Sequence, residues 1–225
     1  MAVVINTLDN AIGFINTLYE GDTTAPSSGD DDYTYWTSLI NIAIGLWENE
    51  EGVLWNELFV KLEDASTGDK TTADSTYSYD CPDDFRFTAS SYVWLGSGTS
   101  KTALRVLKQE EIQAHANDTG YWCYFLTDGS PTLEINPNLT ITGGYTISYN
   151  YYKKASSLSA STDTFEMTDP MFAVFYALSE LRRDEGDNTS AAIATQKLEA
   201  MKTLNMMPTW LQDDATNYQD EGFGT

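Results

Sequence analysis

Few side chains in this sequence are of the types that usually do catalytic or metal chemistry. The chain has one histidine, His115, and two cysteines, Cys81 and Cys123. A lone histidine in a polar helical stretch, with no nucleophile pattern nearby, is typical of a protein surface. One histidine and two separated cysteines are too few ligands for a zinc site without carboxylates. A single disulfide is conceivable, but nothing else indicates an oxidising compartment, so we predict two reduced thiols.

Carboxylates are the one plentiful reactive group, with 34 Asp and Glu among 225 residues. Asp80, Asp83 and Asp84 form a cluster, and paired carboxylates can hydrolyse a glycosidic bond. At this density clusters also arise by chance, so we interpret this one as a solvated loop. The acidic runs 30–32 and 184–188 lack the spacing of an EF-hand calcium loop and are better explained as caps of the following helices.

No nucleophile elbow, phosphate-binding glycine loop or zinc-protease motif occurs in the sequence. We therefore predict a protein that is not an enzyme, with no catalytic residue, no metal site and no cofactor.

The charge is strongly acidic: 12 basic residues against 34 acidic ones give a net charge of −22. Such a chain is repelled by nucleic-acid backbones and by anionic membranes. The charge could serve solubility alone, or it could line a conduit through which DNA slides without sticking. Two small basic patches, Lys101/Arg105/Lys108 and Lys153/Lys154, are either plain surface residues or contacts to an acidic neighbour.

The apolar spacing predicts four helices. The first covers residues 2–19. The second carries Trp36, Leu39, Ile40, Ala43 and Trp47 and ends near Gly52. After the β-region, a third helix begins at 168–170, with its buried stripe at Phe172, Phe175, Tyr176, Leu178 and Leu181, and a fourth covers about 190–204.

The middle of the chain has the pattern of β-strands. Residues 53–63 could be helix or strand, and we favour strand. The turn 128–131 predicts a hairpin between 121–126 and 132–135. Residues 145–151 alternate aromatic or aliphatic with polar side chains and give the clearest strand signal.

These elements predict an α+β fold: an antiparallel helical bundle of two N-terminal and two C-terminal helices, with a small antiparallel β-sandwich or barrel inserted. The boundaries are 1–52 and 156–207 for the bundle, 53–155 for the β-domain and 208–225 for an extended tail. No apolar run is long enough to span a membrane, and the N-terminus lacks the basic region of a signal peptide, so we expect a cytosolic address.

The tail places large apolar residues in an acidic, aperiodic segment. Trp210, Leu211, Tyr218 and Phe223 stand among four carboxylates. Such a segment is either a frayed end or a docking peptide for a partner.

Three motifs, taken together in their order and spacing, resemble phage head-to-tail adaptor proteins. Residues 79–85 (YDCPDDF) resemble the segment by which that family enters its β-domain. Residues 133–137 and 147–154 are similar to the family's closing hairpin and final strand. The helix from Asp169-Pro170 and the Ala-rich helix 191–202 are similar to the family's last two helices. The resemblance covers about residues 2–207.

The resemblance implies a structural virion protein that assembles in the host cytoplasm. Its expected form is a dodecameric ring that binds the portal on one side and a tail or nozzle protein on the other. DNA would pass through its channel only as cargo, and no membrane would be involved. Terminal extensions in such proteins commonly engage the portal, which makes Trp210, Leu211, Tyr218 and Phe223 candidate portal-docking residues.

Two other functions remain open. The chain could be a different neck component, such as a stopper or a tail terminator. It could also be a carbohydrate-binding β-module whose exposed Tyr and Trp stack on sugars, although the flanking helices then have no explanation.

Overall fold

The computed structural model describes residues 5–61, 70–97, 100–186 and 188–205. Its contacts divide the chain into two compact units. The helical unit comprises residues 1–57 and 156–225, and the β-unit comprises residues 58–155. The α+β class predicted from the sequence is confirmed, and the β-unit is an insertion within the chain of the helical unit.

The described residues contain five α-helices. They are α1 (Leu8–Tyr19), α2 (Asp31–Glu48), the short α3 (Ile112–His115) within the β-unit, α4 (Met171–Leu181) and α5 (Thr189–Asn205). The first helix begins at Leu8 and not at residue 2, because Thr7 is extended and its Oγ1 accepts a hydrogen bond from the Asn10 amide at 3.3 Å. None of these helices is long and apolar enough to cross a bilayer.

The core of the helical unit forms between α2 and α4. All five apolar residues predicted for the buried stripe of α2 are buried, whereas in α4 only Phe172 and Leu178 of the predicted stripe are fully buried. Helix α4 also contacts α1 and α5. Trp55 stacks on Trp47 with ring centroids 5.2 Å apart and donates its indole N–H to the Trp47 carbonyl at 2.5 Å. The antiparallel order of the helices stays a prediction.

The described residues of the β-unit form ten strands in two sheets. They are β1 (Phe59–Lys61), β2 (Lys70–Thr71), β3 (Ser78–Asp80), β4 (Phe85–Thr88), β5 (Tyr92–Ser97), β6 (Ser100–Val106), β7 (Trp122–Leu126), β8 (Thr132–Ile135), β9 (Thr146–Ser148) and β10 (Asn150–Lys153). One sheet has the order β1-β10-β4. The other has the order β2-β9-β5-β6-β7-β8-β3 and is nearly closed, like a barrel.

The strand pairing differs from the sequence prediction in two places. The pair β6–β7 is parallel, whereas an antiparallel unit was expected, because the chain crosses over through α3 between the two strands. The favoured strand at 53–63 is replaced, over its described part, by a 3₁₀ turn over Asn56–Leu58 followed by the short β1, and residues 62–63 lie outside the described residues. The hairpin predicted at 128–131 is confirmed, since β7 and β8 pair antiparallel.

Both sheets contribute to one apolar core. Phe85 on β4 contacts the rings of Phe125, Tyr149 and Tyr151 at centroid distances of 5.2–6.3 Å. Val93, Leu104 and the two cysteines belong to the same cluster. This core fixes the backbone on which the exposed side chains of the β-unit are presented.

Candidate interaction surfaces

In the acidic cluster next to Cys81, Asp84 connects its loop by hydrogen bonds to the strand β10 and the residue after it. Asp84 accepts a hydrogen bond from the Tyr151 hydroxyl at 3.0 Å, and its carbonyl accepts one from the Lys154 amide at 2.7 Å. Burial raises the pKa of Tyr151, and the Asp84 charge raises it further. Asp80 and Asp83 are exposed. Among the residues that the structure describes, no group of three or more His, Cys, Asp or Glu side chains could hold a metal ion.

His115 lies at the end of α3 and takes part in a turn. Its Nδ1 is 3.2 Å from an Asp118 carboxylate oxygen, and the other oxygen accepts a hydrogen bond from the Gly120 amide at 2.8 Å. These two contacts, the histidine first, hold the pKa of Asp118 below its usual range. Asn136 donates its side-chain N–H groups to the carbonyls of Asp118 and Gly120 at 2.9 and 2.8 Å. His115 therefore has a structural role in the crossover between β6 and β7.

The two cysteines are buried free thiols, as predicted. Burial raises the pKa of Cys81 to about 11 and that of Cys123 to about 12. At neutral pH both thiols are protonated, so they behave as small apolar core residues and not as nucleophiles.

The acidic runs 30–32 and 184–188 fulfil only part of the helix-capping role predicted for them. Asp30 is the N-cap residue of α2, but its carboxylate accepts from the Ser27 amide at 2.7 Å and makes no hydrogen bond to the helix. It therefore closes the preceding turn. Asp184 and Glu185 lie in a 3₁₀ turn that ends at Gly186, whose φ of 71° is the left-handed conformation that glycine tolerates best.

The four portal-docking candidates, Trp210, Leu211, Tyr218 and Phe223, lie outside the described residues. The last described residue of the chain is Asn205. Asn205 donates to the Leu54 carbonyl at 2.6 Å, and its Oδ1 accepts from the Asn56 amide at 2.9 Å. Two hydrogen bonds to one loop hold the end of α5 in place, and the adjacent Leu204 is 77% exposed.

Helix α2 presents an apolar outer surface, here called the α2 ridge. Tyr35, Ile42 and Leu46 are each about half exposed (53, 50 and 48%) and lie on one side of the helix at spacings of seven and four residues. Residues 33–47 include no charged side chain. Two exposed carboxylates, Asp31 and Asp32, stand at the N-terminal end of the ridge. Sequence reasoning missed this surface, although an uncharged run of this length in so acidic a chain could have indicated it.

A second exposed surface lies on the sheet of the β-unit and is here called the aromatic–basic face. Tyr92 and Trp94 on β5 are 47 and 42% exposed, with ring centroids 6.2 Å apart. In the β5–β6 register Tyr92 is opposite Arg105 and Gly96 is opposite Lys101, so the two basic residues share this face with the aromatic ones. Arg105 is exposed, and its guanidinium meets Glu111 only at 3.5 Å.

The third member of that basic patch, Lys108, follows β6 in the crossover, where its amide donates to Glu111 at 3.0 Å. The other patch, Lys153 and Lys154, lies at the end of β10. The structure thus places Lys101 and Arg105, out of five basic candidates, on one strand face with aromatic neighbours. Sequence reasoning had grouped the lysines and Arg105 without finding Tyr92 and Trp94 beside them.

A groove of about 460 Å³ lies in the β-unit next to Lys101. Tyr121, Tyr145 and the loop 139–142 line it. Lys101 is the one charged side chain among the described residues that line it.

The charge is divided unequally between the two units. The helical unit contains 22 acidic and 4 basic residues, a net charge of −18. The β-unit contains 12 acidic and 8 basic residues, a net charge of −4. The β-unit is therefore the less repulsive part of the chain towards an acidic partner.

Most of the chain matches the model of a known protein family. The model described as SU10 adaptor protein matches residues 18–220, which include α2, the whole β-unit, α4 and α5. No curated protein matches the chain.

Proposed function

The chain belongs to the SU10 adaptor protein family, a family of phage adaptors, and from this we propose that it forms the ring between the portal and the tail of a tailed phage. The match over residues 18–220 is the observation that carries the proposal. Membership of the family supports a structural, non-catalytic role in the phage neck, as a component of the virion.

We further propose that the ring, a dodecamer, extends the DNA channel and offers a docking surface to a tail or nozzle protein. The net charge of −22 favours this role, because an acidic wall does not retain passing DNA. The exposed apolar and aromatic side chains on both units are suited to protein contacts, where Trp, Tyr and Arg are enriched.

The layout follows from the predicted boundaries. Residues 1–52 and 156–207 would form the helical part, 53–155 the β-domain, and 208–225 the portal-docking tail. Trp210, Leu211, Tyr218 and Phe223 would supply the apolar contacts to the portal. The large apolar residues in this acidic, aperiodic segment support the assignment.

The test is co-expression with the portal protein of the same phage, followed by electron microscopy of the purified complex. We expect an additional ring below the portal. A variant that ends at residue 207 should express as a folded protein, with an unchanged circular dichroism spectrum, but should no longer bind the portal.

Each result decides between stated alternatives. If the truncated variant still forms a ring on the portal, the adaptor role stands and the proposed docking role of the tail is wrong. If the full-length chain binds a preformed portal–adaptor complex but not the portal, it is a stopper; binding to the tail alone indicates a tail terminator. Binding to glycans without any binding to virion proteins would favour the carbohydrate-binding module.

A further inference from the structure

The aromatic–basic face has the composition of a protein-binding hot spot. Tyr, Trp and Arg dominate the energetics of interfaces because they combine large apolar area with polar groups. Here one face of the strand pair β5–β6 is exposed. It carries Tyr92, Trp94 and Arg105, with Lys101 further along the same face. The opposite side of these strands supplies Val93 and Leu104 to the core, so the side that carries Tyr92, Trp94 and Arg105 is turned away from the core.

The α2 ridge has the matching composition. It combines three half-exposed apolar residues with two exposed carboxylates at one end. Two copies that each carry −22 repel one another, so they can approach only where charge is absent or opposite in sign. The ridge is uncharged over residues 33–47, and the carboxylates at its end are opposite in sign to Lys101 and Arg105.

We infer that the aromatic–basic face of one copy packs on the α2 ridge of a second copy of this chain. The basic side chains then face Asp31 and Asp32, and the aromatic rings cover the apolar residues of the ridge. The two surfaces differ, so the contact is heterologous and repeats from copy to copy, as closure of a ring requires. The inference rests on the proposed ring and names a contact by which its copies join.

The size of the contact predicts that isolated copies associate only weakly. From Asp31 to Leu46 the ridge is about 22 Å long and roughly 10 Å wide, a footprint of roughly 200 Å². A stable interface buries about 800 Å² on each partner. A single contact of this kind is therefore weak in solution, and it becomes effective when several copies are held in one ring.

The first test is inter-copy cross-linking, which requires no portal. Unlabelled and ¹⁵N-labelled protein are mixed at high concentration and treated with a zero-length carbodiimide, which joins a lysine amine to a carboxylate. We expect peptides that couple Lys101 to Asp31 or Asp32 with one labelled and one unlabelled partner. The yield should fall at high salt, because the steering is electrostatic. Mixed-label peptides that never include Lys101 and residues 31–32 would overturn the inference.

The second test uses charge reversal with the portal complex. The variants K101E/R105E and D31K/D32K should each give about tenfold fewer complete rings than the wild type. The four changes combined should restore ring formation, because the charges are exchanged between the two surfaces. K153E/K154E is the matched control, with the same change in charge at β10, and should form rings normally. Circular dichroism confirms that each variant is folded.

The outcomes separate the inference from the proposed function. If the wild type does not bind the portal, the proposed function fails, and the cross-linking result still decides the inference. If K101E/R105E fills the ring as the wild type does, or if the combined variant stays defective, the inference is wrong and the adaptor role stands. If K101E/R105E cannot bind the portal even as single copies, the face contacts the portal, and the inference is likewise wrong.

Discussion

At the scale of single residues, asparagine side chains hold the loops of this protein. Four of them donate a side-chain N–H to a main-chain carbonyl of another loop or segment: Asn16, Asn41, Asn136 and Asn205. Asn136 is fully buried. Composition and spacing could not predict these roles, because asparagine is usually exposed and its partners are carbonyls that any residue carries.

We predict that Asn136→Ala destabilises the β-unit by about 2–4 kcal/mol, because the Gly120 carbonyl loses its side-chain donor and the Asp118 carbonyl keeps only the longer bond from Asn138. Urea unfolding monitored by circular dichroism measures the loss. Asn138→Ala is the control: its two bonds are longer, at 3.1 Å, and exposed, so about 1 kcal/mol or less is expected. Equal losses in both variants would contradict the interpretation that the buried hydrogen bonds of Asn136 stabilise the turn more than the exposed ones of Asn138.

The buried thiols and phenols give a second prediction, on alkaline stability. Burial raises the pKa of Cys81, Cys123, Tyr149 and Tyr151 above the ordinary values of 9.0 for the thiols and 10.0 for the phenols. The unfolded chain therefore loses its protons first as the pH rises. The contribution of these four groups to stability should be constant below about pH 9, and it should fall steadily as the pH rises towards the folded thiol pKa values of about 11 and 12.

Unfolding in urea between about pH 7 and pH 11 measures this dependence. Tyr149→Phe removes one of the raised phenols and should make the fall less steep. A stability that is unchanged up to pH 11 would show that these groups are not buried as described.

At the scale of elements, the sequence predicted the helices better than the strands. The stripe of α2 repeats every three or four residues from Trp36 to Trp47, and this long signal identified the buried side of the 18-residue helix correctly. The strand at 145–151 has an equally regular alternation, yet it is divided between two sheets. Residues 146–148 form β9, residues 150–153 form β10, and Tyr149 lies between them in the shared core. Alternation reports which side is buried, but it carries no information on which strand is the neighbour.

Phe85 contacts residues of both sheets, since its ring on β4 meets Phe125 on β7 and the tyrosines on either side of Asn150. We predict that Phe85→Ala costs about 3–5 kcal/mol, the usual range for a buried aromatic ring. Thermal unfolding followed by near-UV circular dichroism measures the loss.

Phe87→Ala is the matched control two residues along the same strand. Its ring is only half-buried and contacts Tyr152 and Arg86, so a cost below about 2 kcal/mol is expected. A larger loss of stability for Phe87→Ala than for Phe85→Ala would contradict the prediction that Phe85 makes the main contact between the sheets.

At the scale of the whole molecule, the dominant feature is the uneven charge. The helical unit carries −18 and the β-unit −4, a division that becomes visible only once the units are known. The family match and the α+β class were accessible from the sequence. The two candidate contact surfaces were not, because exposure depends on which side of each element the core occupies.

We predict that salt stabilises this protein. Screening weakens the repulsion among the carboxylates of the helical unit, so the midpoint of thermal unfolding should rise between about 10 mM and 300 mM NaCl. Differential scanning calorimetry measures the midpoint, and an equal osmolality of sucrose separates screening from excluded-solute effects. A midpoint that falls with salt would mean that favourable ion pairs, such as those of Lys202 with Glu50 and Glu199, outweigh the repulsion.

The pairing of β1 with β10 bears on how the β-unit can be removed from the chain or exchanged for another. Phe59 is opposite Tyr152 in an antiparallel pair, so the chain enters and leaves the β-unit on adjacent strands, about 5 Å apart. A whole β-unit can therefore be removed or exchanged at two neighbouring points, with only a short linker needed to rejoin the helical chain. Recombination between phage genomes at these two points would transfer the β-unit as a cassette, so a neck protein could acquire a new set of partners in one exchange while its helices kept the old ones.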